Sequence, residues 1–112
     1  MNRLKTLEHL SEALLRLVGL LALDPRCQWT HKFELNLQWA NHLKTTPQYE
    51  NELTDLSASI RHMYGGMGSF NDYEPAIYDP ITGHYIRIHG TENFEELRIK
   101  VFDLALELIS ID

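Results

Sequence analysis

The stretch Tyr64-Gly65-Gly66-Met67-Gly68-Ser69-Phe70-Asn71-Asp72 decides how this chain is read. Three glycines fall within four positions. Glycine reaches positive φ without steric cost and lets other backbone approach closely. The stretch follows an apolar-periodic segment ending in Ile60, Met63 and Tyr64, so Gly65 reads as the left-handed residue just past a helix. Gly66 and Gly68 then permit a compact turn. Met67 and Phe70 are apolar and are expected to tuck into the body. Ser69, Asn71 and Asp72 are short polar residues that hydrogen-bond nearby backbone in turns. No lysine and no helix start follow the glycines in phosphate-loop spacing, and the glycines follow a helix where a dinucleotide site needs a strand. The stretch therefore reads as a rigid helix-to-strand joint. The alternative is a loop that presents backbone N–H groups or Asp72 to a ligand.

Downstream, residues 75–78 and 84–88 read as two short strands around the turn Asp79-Pro80-Ile81-Thr82-Gly83. A lone two-stranded hairpin is marginal, so it should pack on helices or pair with another edge. Asn93 with Glu96 resembles a capping box, and Thr91 is an alternative cap. The helix that follows, to about residue 109, should bury Phe94, Leu97, Val101, Leu104 and Leu108.

Upstream, Thr46-Pro47 signals a helix start. That helix should run to Tyr64 and bury Leu53, Leu56, Ile60 and Met63, with Glu50, Glu52 and Asp55 early and Arg61 and His62 late, as the helix dipole favours. Before it, residues 31–43 fit a helix capped by Thr30, with Phe33, Leu37 and Ala40 inward, although alternation at 33–37 also fits a strand. Leu4, Leu7, Leu10, Leu14, Leu17, Val18 and Leu21 recur at steps of three and four, so a first helix is expected over 3–23. Past Leu14 it is apolar nearly all round, which suggests a central position. The expected fold is mainly α (α+β), with about four helices and a small antiparallel β-hairpin before the last.

The 112 residues fit one domain, 1–112. The single cysteine, Cys27, excludes an internal disulfide framework and fits a reducing compartment. Glu8, His9, Glu12 and Arg16 interrupt any apolar leader, and the apolar run at 17–23 is too short to cross a bilayer. The expectation is a cytoplasmic protein with no membrane contact. The net charge of −6, without any basic stripe, argues against nucleic acid and favours a cationic partner.

No catalytic or metal constellation emerges. His84 and His89 fall on opposite faces of a regular strand, and the spacings of zinc motifs are missing, so no metal or cofactor is expected. His84, Tyr85, Arg87 and His89 could form an acid–base set, but an acidic chain attracts RNA phosphates poorly. Ser69, Asp72 and His62 lack a nucleophile elbow. Cys27 has no evident activating partner.

The octapeptide Gly65-Gly66-Met67-Gly68-Ser69-Phe70-Asn71-Asp72 resembles the signature of a family of small bacterial domains without an established activity. The resemblance covers about residues 53–108. It implies a bacterial cytoplasmic protein, and it suggests the setting of immunity proteins that neutralise toxins. The chain departs from that pattern after Asp72, with Tyr73-Glu74-Pro75 and a longer insert through Gly83. Tyrosines interleaved with acids suit recognition of a basic protein surface. The expected contact residues are Asp72, Tyr73, Glu74, Tyr78, Asp79 and Tyr85. Gly65, Gly66, Met67, Gly68, Ser69, Phe70 and Asn71 are expected to be structural. The expected function is a non-catalytic binding module, an immunity protein against a cationic, nuclease-like toxin. The alternative is a small hydrolase or nucleotide-ligand-binding protein using the loop at 65–72 with His89. A third class is a homodimer built on the leucine-rich first helix.

Overall fold

In a computed structural model describing residues 3–46 and 50–110, four helices pack together and a two-stranded antiparallel hairpin stands at one end. They are α1 (Arg3–Leu21), α2 (Thr30–Lys44), α3 (Glu50–His62) and α4 (Phe94–Leu108). The strands β1 (Ala76–Asp79) and β2 (His84–Arg87) precede α4. This is the expected mainly-α architecture. Helix α1 packs against α2 and α4, while α3 packs against α4 and α2. The leucine spacing of α1 explains its place: Leu7, Leu10, Leu14, Leu17 and Leu21 are all fully buried. The ambiguity at 33–37 resolves as helix, because Phe33 and Ala40 are buried on one side and Leu35 faces solvent on the other.

Several local expectations fail for identifiable reasons. The second half of α1 is not sealed all round, since Leu15 is 61% exposed. Thr30 lies within α2, and the preceding Trp29 makes no side-chain cap. Neither reading of the α4 start forms a side-chain cap: Asn93 makes none, and the Thr91 hydroxyl donates to the Ile88 carbonyl at 2.6 Å. The proposed proline start of α3 at Pro47 lies outside the described residues. Thr46, in front of it, donates its hydroxyl to His42 O at 3.2 Å, reaching back to α2.

Polar seams tie the helices together. Ser57 of α3 donates to the Ala105 carbonyl of α4 at 2.6 Å, and Arg61 Nε donates to Ser57 Oγ at 3.0 Å. Ser11 of α1 donates to Asn41 of α2 at 2.5 Å. No helix among the described residues is long and apolar enough to cross a membrane.

Candidate protein-binding surface

The glycine corner sits at the end of the bundle where α1 and α3 finish and α2 and α4 begin; Tyr64, Ser69 and Phe70 are buried there, whereas residues 65–68, Asn71 and Asp72 are exposed. The last turn of α3 tightens into three-residue bonds, Met63 N to Ile60 O and Tyr64 N to Arg61 O. This carries the chain past Gly65 without a left-handed residue. The positive φ falls one position later, at Gly66 (φ 87°), and again at Gly68 (φ 73°). Between them Met67 is 100% exposed, so the tight turn ejects the side chain that was expected to tuck in. Phe70 does the reverse. It is fully buried, with its ring centroid 4.7 Å from Phe33, 5.3 Å from Tyr64, 5.7 Å from Phe94 and 5.9 Å from Trp29. These lie in the range where aromatic pairs attract.

The corner's irregular backbone is satisfied by side chains. Ser69 and Asn71 both donate to the Tyr64 carbonyl. Asp72 Oδ2 accepts from Gly68 N at 2.7 Å. From α4, the buried Arg98 donates through Nη1 to the carbonyls of Phe70, Asn71 and Tyr73, at 3.1, 3.2 and 3.0 Å. Its second amino group donates to Glu95, and its guanidinium lies over the Phe94 ring. Tyr64 OH donates to the Arg98 carbonyl at 2.8 Å, and burial pushes that phenol well above its ordinary value. Tyr73 OH donates to Asp24 Oδ2 at 2.6 Å, and burial followed by that bond raises its phenol as well. Sequence reading missed Arg98 and Asp24. The available signal was a charged residue at position 98, inside the apolar stripe of α4.

Of the expected contact residues, Tyr73 turns inward and Asp72 serves the corner while remaining exposed. Asp79 braces the hairpin turn by accepting from Ile81 N and the Thr82 hydroxyl, both at 3.0 Å. Glu74 is exposed. Tyr78 and Tyr85 stand opposite one another on the hairpin, ring centroids 5.4 Å apart. The hairpin does not lie on the helices. Neither strand packs against any of them, and β2 is exposed along its length. Tyr85 is 73% exposed and Ile81, at the tip, 93%. Ile77 and Ile86 form an open apolar pair on the other face.

Two of the residues considered for chemistry are tied to the corner's backbone. Ser69 is bonded to the Tyr64 carbonyl and Asp72 to Gly68 N. His89 is fully exposed, its Nδ1 3.9 Å from Glu92 Oε1. Among the described residues no cluster of three His, Cys, Asp or Glu side chains could hold a metal. Beside the corner, Tyr64, Asn71, Arg98, Ile99, Phe102 and Asp103 line a hollow of about 140 Å³.

Fold and surface together define a small helical domain that carries a pinned glycine corner and a projecting hairpin. The chain belongs to the family described as a domain of unknown function (DUF6966), which matches residues 22–86. That span takes in Asp24, Trp29, the whole corner and nearly all of the hairpin. It begins well upstream of residue 53 and stops before α4, leaving out Arg98. No curated protein and no solved structure matches the chain.

Proposed function

We propose that the protein is a non-catalytic binding module that sets its hairpin and the adjoining acidic loop against a basic protein surface. This is how an immunity protein would cover a cationic, nuclease-like toxin. The observation that carries the reading is the hairpin itself, which projects from the bundle with Tyr78, Tyr85, Ile77, Ile81 and Ile86 in solvent. Exposed tyrosines beside aliphatic residues supply the anchor area that dominates interface energies. The acids supply attraction at a distance: residues 72–92 hold four carboxylates, Asp72, Glu74, Asp79 and Glu92, against one arginine, Arg87. Among these, Glu92 has its carboxyl held below the usual range by backbone N–H groups, including that of Gly90, and by the His89 and Arg87 charges.

The test is titration calorimetry against basic toxin domains encoded beside this protein's gene. Binding at micromolar concentration or tighter is expected, weakening as salt rises. Tyr85→Ala should weaken it roughly tenfold, as loss of an interface anchor does. Absence of binding at micromolar concentration, or binding indifferent to salt, overturns the reading.

A further inference from the structure

The hairpin has two free edges, and they differ. Ile88 N donates to Pro75 O at 3.1 Å, continuing the ladder in which Ile77 faces Ile86 and Asp79 faces His84. Hydrogen-bonded and non-bonded pairs alternate in an antiparallel ladder. The non-bonded pairs are therefore Ala76 with Arg87 and Tyr78 with Tyr85. The N–H and C=O groups of Tyr85 and Arg87 consequently point away from β1, along the outer edge of β2. The outer edge of β1 is flanked by Pro75 and Pro80, residues that blunt strand edges. Strand β2 has neither proline nor lysine, and no helix covers it.

We infer that β2 pairs antiparallel with β2 of a second copy of this chain, about a two-fold axis at Ile86. Three registers would use the outward groups. Centring on Arg87 sets two guanidinium groups directly opposite, and like charges there repel. Centring on Tyr85 brings Gly83 into the ladder, yet its N–H is already committed to Asp79 O at 2.8 Å. Centring on Ile86 has neither fault. It joins Tyr85 of each copy to Arg87 of the other through their free backbone groups.

The side chains then match by kind. On one face Ile77 and Ile86 of one copy continue into Ile86 and Ile77 of the next, an unbroken apolar row. On the other face each Arg87 stands beside the Tyr85 ring of the opposite copy, a cation against an aromatic face. The result is an isologous contact, the commonest kind in homodimers, and it turns a marginal ribbon into a four-stranded sheet. The inference goes beyond the toxin-binding reading and does not depend on it.

The register can be read by cysteine scanning in a Cys27→Ser background. Only residue 86 meets its own copy, so Ile86→Cys should cross-link under copper-phenanthroline several-fold faster than His84→Cys, Tyr85→Cys or Arg87→Cys. In sedimentation equilibrium the unsubstituted protein should dimerise at high concentration. Arg87→Pro, which removes an outward N–H and no bond within the hairpin, should leave it monomeric with an unchanged melting temperature. A monomer at every concentration, a dimer untouched by Arg87→Pro, or fastest cross-linking at a position other than 86 overturns the inference.

Discussion

The glycine corner and the hairpin are consecutive in the chain and opposite in character. The corner has irregular backbone and needs side chains to complete it. Ser69, Asn71, Asp72 and Arg98 all bond to main-chain groups, and Phe70 is enclosed by aromatic rings. The hairpin has regular backbone that pairs with itself. Most of its side chains are therefore free of structural duty and stand in solvent. Irregular backbone has no ladder of its own, so each of its polar groups taken out of water must be paired or carry the full cost of desolvation. A residue enclosed by such a corner, as Phe70 is, is thus removed from recognition, whereas a residue on a self-sufficient ribbon is available for it.

The sharpest way to break this comparison is Arg98→Met. Methionine fills much of the same volume and leaves the carbonyls of Phe70, Asn71 and Tyr73 without their shared donor. Hydrogen bonds to charged groups are worth more than neutral ones, so a loss of about 3 kcal/mol is expected by urea unfolding. A loss under about 1 kcal/mol would mean that the aromatic packing holds the corner without Arg98.

How much of this was legible differs between the two regions. Steps of three and four placed the core of α1, α3 and α4, because burial and helical period write the same pattern. The corner's existence followed from its glycines, but its geometry did not. A tightened helix end moved the left-handed residue from Gly65 to Gly66 and turned Met67 outward. Arg98 bonds residues more than 24 positions away, beyond any local pattern. The hairpin's strands were readable from their alternation. Its stand-off was not, because apolar pairs on both faces, Ile77 with Ile86 and Tyr78 with Tyr85, look the same in a buried ribbon as in an exposed one.

An intermediate effect is expected at Tyr64→Phe, which removes the hydroxyl bonded to Arg98 O. One neutral hydrogen bond of this kind is worth about 1 kcal/mol at neutral pH. The alkaline range adds a second signature. Above the ordinary tyrosine value of 10.0, an unfolded Tyr64 releases its proton while the folded one retains it. The stability it contributes is complete below that pH and falls as pH rises toward the folded value, by at most about 1.4 kcal/mol per pH unit. Tyr64→Phe should flatten part of this decline in pH-resolved urea titrations, leaving the share due to Tyr73. An unaltered slope would place the Tyr64 hydroxyl in solvent.

The smallest effect belongs to the hairpin. Replacing Tyr78 and Tyr85 together by alanine removes an aromatic pair that rests on no helix. The pair stabilises the ribbon locally, so hydrogen exchange of the amides in β1 and β2 should quicken. The helical circular dichroism should keep its urea midpoint, with a global loss below about 0.5 kcal/mol. If the loss instead matched that of Tyr64→Phe, the ribbon would be part of the cooperative core and the contrast with the corner would fail. If the midpoint holds while binding to a basic toxin domain weakens, those two aromatic rings serve recognition, and the fold stands without them.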